Sequence, residues 1–446
     1  MHYTLWANKV NGMYETGTSA LESPGGKKRS LASLILIATM EAMANGNDNP
    51  ITFLGRTNFR NQGKVFGIRQ ADRRAHMYVI GKTGTGKSTF LETMIRQDIA
   101  AGRGLAVFDP HGDLVERVLL AVPERRKQEL VYFNVPDAAH PLGFNPLESV
   151  PIMKRPVAAA GMLEVLKKIW ADSWGPRLEH ILRNALLALL DQPVATMADI
   201  LRLMDELAFR RIAASRVRTA QVRHFWLREY ESYPARFRAE VISPVQNKVG
   251  AFLTDPILNA IITQPRSAFD LRRVMDEGRI LLVNLAKGKI GEDVAALLGA
   301  LLVSRIGLTG LARADVPEAS RKDFFVYLDE FQSFTTLSLA NMMSELRKYR
   351  VNLILAHQYL TQLDEQVRDA ILGNVGTMIS FRLGLADAEI IGKEFWPEFS
   401  REDLIRLPNF NVYLKLMVNA AVTKPFSAET LGPLRRESNA RRLPVQ

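Results

Sequence analysis

Two short stretches of this chain place residue types at spacings that could handle a phosphoanhydride. Residues 81–89 read Gly-Lys-Thr-Gly-Thr-Gly-Lys-Ser-Thr, with Gly81, Gly86, Lys87 and Ser88 as the fixed points of the pattern GxxxxGK[ST]. Glycines let backbone N–H groups approach a phosphate that side chains would block, and a helix N-terminus behind them adds a positive dipole. Thr83, Gly84 and Thr85 complete the candidate cradle. Lys87 is expected to reach the β and γ phosphates of ATP, Ser88 to ligate Mg²⁺, and Thr89 to lie near the α phosphate. The second stretch, residues 324–330, reads Phe-Phe-Val-Tyr-Leu-Asp-Glu, an apolar strand ending in two carboxylates. Asp329 is suited to hold the Mg²⁺ through water, and Glu330 to orient and deprotonate the attacking water. The second carboxylate points to hydrolysis rather than to a slow nucleotide switch.

Other residues are candidates on weaker patterns. Gln358 follows an expected strand at 352–356, where an amide at the carboxyl edge of a sheet can sense a γ phosphate. Arg347, Arg350 and Arg382 are candidates for a finger reaching into a neighbouring subunit. Asp109, His111 and Asp113 share a Pro-Gly turn, which favours a turn beside the nucleotide over a metal site. Lys287 and Lys289 either line a channel or are solvated loop residues. The chain has no cysteine, which excludes disulfides and thiolate metal sites. Its seven histidines include no HExxH pair, which argues against zinc chemistry.

These residues need elements to position them. At 446 residues the chain is long enough for two or three domains. Residues 51–75, with Arg56, Arg60, Lys64, Arg69, Arg73 and Arg74, read as a basic, turn-rich approach to a first core strand at 76–80. Then come the glycine loop, a helix at 90–101, a strand at 105–108, a helix at 114–122 and a strand at 130–134. This alternation marks an α/β fold built on a parallel sheet. From 157 to 268 helix formers dominate, which predicts an inserted all-α domain. Strands at 279–285, 324–328, 352–356, 377–382 and 413–418 complete the sheet. The expected division is an extension at 1–50, the ATPase domain at 51–152 and 273–425, the insertion at 153–272, and a basic tail at 426–446.

Composition constrains the partners. The 58 Lys+Arg against 47 Asp+Glu give a net charge of +11, which favours polyanions, nucleic acid first. Between Arg210 and Lys248 nine basic residues face three acids, interleaved with Phe225, Trp226, Tyr230, Tyr233 and Phe237. Such a segment can track phosphates and stack bases. Equally, its aromatics can be helix core and its arginines the wet face. Lys27, Lys28 and Arg29 precede an apolar run at 31–39 and then Ala42-Met43-Ala44, the outline of a signal peptide. The long charged lead, Glu41 and the ATP chemistry argue against export. The run also falls short of the ~20 residues that span a bilayer. A cytoplasmic protein without an integral span is expected, or one peripheral at the inner membrane.

With these residues assembled, the chain resembles the HerA/FtsK superfamily of ring ATPases, and within it the TraG/TraD-type coupling proteins of conjugative type IV secretion. The resemblance rests on GKTGTGKST, DPHGD, FNPL, YLDEFQSF, the run from LILAHQYLTQL to FRLG, and DAEIIGKEF, in the family's order over residues 51–425. It implies a RecA-like P-loop NTPase domain carrying an all-α insertion, assembled as a homohexamer that hydrolyses ATP and moves DNA, single- or double-stranded. Relaxase or secretion-channel proteins are the implied partners. By the same likeness Gln358 matches the sensing glutamine and Arg347, eleven residues earlier, the trans-acting finger, with Arg382 as second choice. The two N-terminal membrane helices usual in coupling proteins are not read here. Two other functions fit the motifs: a HerA-like helicase or translocase working with a nuclease in repair or defence, and a nucleotide-gated platform that recruits secretion substrates.

Overall fold

The computed structural model describes residues 50–59 and 63–432. The expected leader-like run at 27–44, Arg60 and the arginines at 435–442 lie outside the described residues. Thirteen strands are formed among those described: β1 (Ile51–Thr57), β2 (Val65–Arg69), β3 (Met77–Ile80), β4 (Gly104–Asp109), β5 (Leu130–Asn134), β6 (Ile280–Asn284), β7 (Phe324–Leu328), β8 (Val351–His357), β9 (Thr377–Ser380), β10 (Asn411–Lys415), β11 (Met417–Val418), β12 (Ala421–Val422) and β13 (Phe426–Thr430). Contacts divide the chain into two compact units. One holds the described residues up to 103, 121–123 and 376 onward; the other holds 104–120 and 124–375.

In the first unit the strand order is β2-β1-β13-β10-β9-β3. Only β3 and β9 run parallel, with Val79 opposite Ile379; the remaining pairs are antiparallel. Residues 51–75, expected to be turn-rich, contain the β1–β2 pair instead, with Phe53, Leu54, Phe66 and Ile68 turned inward. The expected tail likewise begins with a strand: Phe426 packs edge-on against Phe66, 5.2 Å between ring centroids, and Ala428 is buried. Polar residues in them, Thr52, Arg56 and Thr57 in β1 and Ser427, Glu429 and Thr430 in β13, disguised these strands.

Arg73 is a second correction to the basic approach, because it is buried rather than solvated. Its guanidinium makes a fork on Asp98 at 2.6 and 2.8 Å. Arg103 reaches the same carboxylate at 2.6 Å, and both arginines donate to the Thr52 hydroxyl. Asp98 stands on the helix Lys87–Ala100, so this ion cluster fastens the helix behind the glycine loop to β1.

The second unit is built on a wholly parallel sheet, β8-β7-β4-β6-β5. Its strands are near-continuous apolar runs such as Ile-Leu-Leu-Val in β6 and Phe-Phe-Val-Tyr-Leu in β7, every residue buried, as sheets covered on both faces require. Their carboxyl ends deliver Asp109, Asp329 and His357 to one edge. Between β5 and β6 every regular element is helical. Asn145, in the Phe-Asn-Pro-Leu stretch, closes the neck of this insertion by donating to the carbonyls of Ala195 (2.8 Å) and Pro265 (3.0 Å). Among the described residues one helix, Glu292–Asp315, is long and apolar enough to cross a membrane, and most of it is buried inside the protein. Gly299 on this helix admits the ring of Phe334, which a Cβ would meet at 2.3 Å.

Candidate functional site

Residues 81–89 belong to the first unit, whereas Asp329, Glu330, Arg347 and Gln358 belong to the second. The loop leaves β3 and winds through two left-handed glycines, Gly84 at φ +75° and Gly86 at φ +116°. A side chain at Gly81 would strike the Phe381 Cβ at 2.4 Å, whereas one at Gly84 would meet nothing within 4 Å, so the loop is tight beneath and open at its crest. Thr85 is buried and its hydroxyl donates to the Lys82 carbonyl at 2.7 Å, bracing the turn. Lys87 folds its ammonium onto the carbonyls of Gly81 (2.5 Å) and Lys82 (3.2 Å). Ser88 and Thr89 follow in the first turn of the helix, both partly accessible, while Thr83 is exposed.

Glu330 is the best-held side chain of the other group. It is buried, and both carboxylate oxygens accept amide hydrogens, Oε1 from Gln358 and Oε2 from Gln332 at 2.8 Å. Its backbone sits at φ +47° and ψ +50°, a left-handed conformation that costs a non-glycine residue about 1–3 kcal/mol and persists only where the surroundings enforce it. Asp329, also buried, accepts the Glu330 N–H at 3.1 Å. Next to them Phe331 stacks on the buried His357, 4.7 Å between centroids.

The segment after Glu330 is tied to the helical insertion by the helix Arg155–Ile169. Lys168 donates to the carbonyls of Gln332 and, at 2.9 Å, Thr335; Glu164 accepts the Ser338 N–H at 2.6 Å. Although much of the Lys168 side chain stays accessible, desolvation of its ammonium end pushes the pKa down to about 8. The roles open to Gln332, Lys168 and Glu164 had no sequence signal beyond the proximity of Gln332 to the carboxylate pair, because their partners lie in backbone geometry.

The three finger candidates differ. Arg350 donates to the Arg321 carbonyl at 2.6 Å, and Arg382 to Leu407 O (3.3 Å) and Asn409 Oδ1 (2.9 Å). Arg347 is exposed just past the helix Leu337–Leu346, and its guanidinium has no partner among the described residues. Asp109 is a turn residue, as its neighbours suggested: it is buried and accepts the N–H groups of His111, Leu114 and Val115 at 2.8 to 3.0 Å. No cluster of three potential metal ligands forms among the described residues. Lys287 pairs loosely with Glu292 at 3.8 Å, and Lys289 is exposed.

The basic and aromatic segment resolves largely toward core. Phe225, Trp226 and Tyr230 are buried, with the Trp226 indole donating to Asn184 O and the Tyr230 hydroxyl to Met204 O, each at 3.1 Å. Arg210 is buried as well and donates to the Leu203 and Met204 carbonyls. These three rings cannot stack bases. Arg211, Arg216, Arg218, Arg228 and Arg236 remain as the wet face.

Comparison with curated proteins finds no match. Family models match two regions: the central domain of helicase HerA at residues 71–306, and the TraM recognition site of TraD and TraG at residues 323–393. Among solved structures, the bacterial conjugative coupling protein TrwB in an unbound N-terminally truncated form aligns at 14% identity and TM-score 0.58, over 83% of this chain and 89% of that one. TrwB in complex with ADP and Mg²⁺ aligns at 16% identity and TM-score 0.59, over 88% and 97%. VirB4 of Thermoanaerobacter pseudethanolicus aligns at 14% identity and TM-score 0.56, over 85% and 96%. At such identities the likeness concerns the fold, a RecA-like P-loop NTPase with an inserted all-α domain. Since the HerA model alone spans more than half of the 446 residues, with the TraD and TraG model following it in order over a shorter stretch, the chain belongs to the HerA/FtsK superfamily of P-loop ATPases.

Proposed function

We propose that this protein is an ATP-driven DNA translocase, acting as a homohexameric coupling protein in conjugative DNA transfer or type IV secretion. The observation that carries the reading is the Glu330 carboxylate held on both oxygens by the amides of Gln358 and Gln332. A buried carboxylate fixed this way is oriented to take a proton from water, and Gln358 couples it to whatever the same amide senses. Lys87 and the N–H groups of the loop hold the β and γ phosphates. Its ammonium already rests on two carbonyl oxygens, an arrangement phosphate oxygens can replace. The Ser88 hydroxyl and Asp329 carboxylate are hard oxygen donors suited to Mg²⁺, which needs few protein ligands beside water and phosphate. When bound, Mg²⁺ neutralises charge on the transferred phosphate. Arg347, the finger candidate whose guanidinium has no partner among the described residues, is suited to a neighbouring subunit's nucleotide.

The DNA half of the reading is supported by the family, by the conjugative coupling role printed for TrwB, and by the net charge of +11. Partners from the relaxase or secretion-channel side belong to the same proposal, and the match to the TraM recognition site of TraD and TraG supports it. A HerA-like helicase working with a nuclease is the second reading, favoured by the longer HerA match. Strand separation and a co-purifying nuclease would select it. The test of the first reading is ATP hydrolysis by the purified chain with and without single- and double-stranded DNA. Stimulation that vanishes in Lys87→Ala supports it; an active ring indifferent to both DNAs sinks it.

A further inference from the structure

Within the first unit, β3 and β9 run parallel while β10 runs antiparallel to β9, with Tyr413 opposite Ser380. The glycine loop after β3, the carboxyl end of β9 and the start of β10 therefore gather at one edge. The residue that enters β10 there is Phe410. Its backbone is left-handed at φ +65°, a region bulky side chains rarely adopt. Three hydrogen bonds hold it: its N–H donates to the Thr85 carbonyl of the loop at 2.8 Å, and its own carbonyl accepts from the Thr430 N–H (2.8 Å) and hydroxyl (3.1 Å). Arg382 steadies the preceding turn through Leu407 O and Asn409 Oδ1.

The ring lies beside the loop without being core. A Cβ on Gly86 would meet Phe410 Cδ1 at 2.7 Å, yet the residue is 44% exposed. Beneath the loop the space is already filled by Phe381, which is fully buried and would sit 3.4 Å from the same Cβ. Packing does not explain why a strained backbone should present an open aromatic face next to the phosphate cradle. Stacking does: a nucleobase has an apolar face on either side, and an exposed ring held rigidly beside the phosphates loses little freedom on meeting it.

We propose that Phe410 is the platform on which the base of the bound nucleotide stacks. The proposal deepens the nucleotide reading of the same loop and rests on it. Stacking on one aromatic ring favours a base roughly ten- to a hundredfold in affinity and tolerates any purine, since no hydrogen bond reads its edge. The experiment measures dissociation constants of the full chain for ATP and for inorganic tripolyphosphate, which shares the phosphates and lacks the base. In Phe410→Ala, ATP affinity should fall roughly ten- to a hundredfold while tripolyphosphate stays within about twofold. Phe410→Trp should keep ATP affinity and show fluorescence quenched by ATP and not by tripolyphosphate. An equal loss for both ligands in Phe410→Ala would make the residue a prop of the loop and overturn the proposal, as would no loss for either. If the wild-type chain binds neither ligand, the nucleotide reading fails with it. If it binds both and only the variants disappoint, the base platform alone fails.

Discussion

Replacing Glu330 by glutamine keeps the side chain's size and removes its basicity. Its two oxygens now accept from two glutamine amides, Gln358 and Gln332. A glutamine at this position can offer its oxygen to only one of them and must turn its own NH₂ toward the other. One bond to a charged acceptor is lost, about 1.5–3 kcal/mol at most, and less here because Gln332 and Gln358 are only partly buried and can turn to water. At about 2–4 °C per kcal/mol the melting temperature should fall by a few degrees. Turnover should fall much further. Loss of a general base costs about 10²–10⁴-fold, or about 2.7–5.4 kcal/mol in the barrier. Nucleotide affinity should change by less than about threefold, since the phosphate-binding donors remain. Phosphate release under saturating ATP, paired with equilibrium binding of a fluorescent nucleotide, separates the two effects. A variant that keeps more than about a tenth of wild-type turnover would refute Glu330 as the base. So would a loss of turnover matched by an equal loss of affinity.

Other perturbations test other joints. Asp98→Ala strips a buried carboxylate from Arg73 and Arg103, and should destabilise the protein by about 3–5 kcal/mol in urea denaturation. A triple change of Arg73, Asp98 and Arg103 to methionine, leucine and methionine should lie near wild type, and a single variant as stable as wild type would contradict the burial argument. Arg347→Ala should lower turnover about a thousandfold or more, whereas Arg350→Ala should disturb it less because that side chain only braces a carbonyl. Mixing Arg347→Ala with Lys87→Ala protein should restore activity if the finger works in trans, and co-assembled rings that stay inactive would count against it. Lys168 supplies a pH test: its folded pKa of about 8 lies below the ordinary 10.5, so within that window the unfolded chain binds a proton the folded chain lacks. Stability from this group therefore rises with pH there. The urea midpoint of wild type relative to Lys168→Met should improve from about pH 7.5 to about pH 9.5, and a flat difference would show that the ammonium is not desolvated.

What could be read from the sequence follows from how local each signal is. Strands β3, β4 and β6 to β9 were legible because residues buried on both faces are mostly apolar, and the runs 280–284, 324–328 and 351–357 announce themselves. The glycine loop and the Asp329-Glu330 pair stood out because each is a pattern of a few consecutive residues, and the structure places them after β3 and β7 as that pattern expects. Strands β1, β2 and β13 were not legible. Each mixes polar residues or glycine with its apolar ones, and Arg56, Arg69, Ser427 and Glu429 mimic loop composition.

Side chains whose meaning depends on distant partners were hidden in the same way. Arg73 looked like a solvated surface charge because nothing near it in sequence reveals that Asp98, 25 residues on, neutralises it inside the protein. Phe225, Trp226 and Tyr230 could be read as a stacking surface or as helix core, and the carbonyls of Asn184 and Met204, which accept from the Trp226 indole and the Tyr230 hydroxyl, decide for core. Phe410 shows the converse: alone among polar neighbours it is an unremarkable loop residue, and only its left-handed backbone and its bond to Thr85 O mark it out. A charge or ring at a nucleotide machine's surface therefore cannot be assigned by type. Whether it faces substrate or core is decided by where its hydrogen bonds end, and that is a property of the fold rather than of the neighbouring residues.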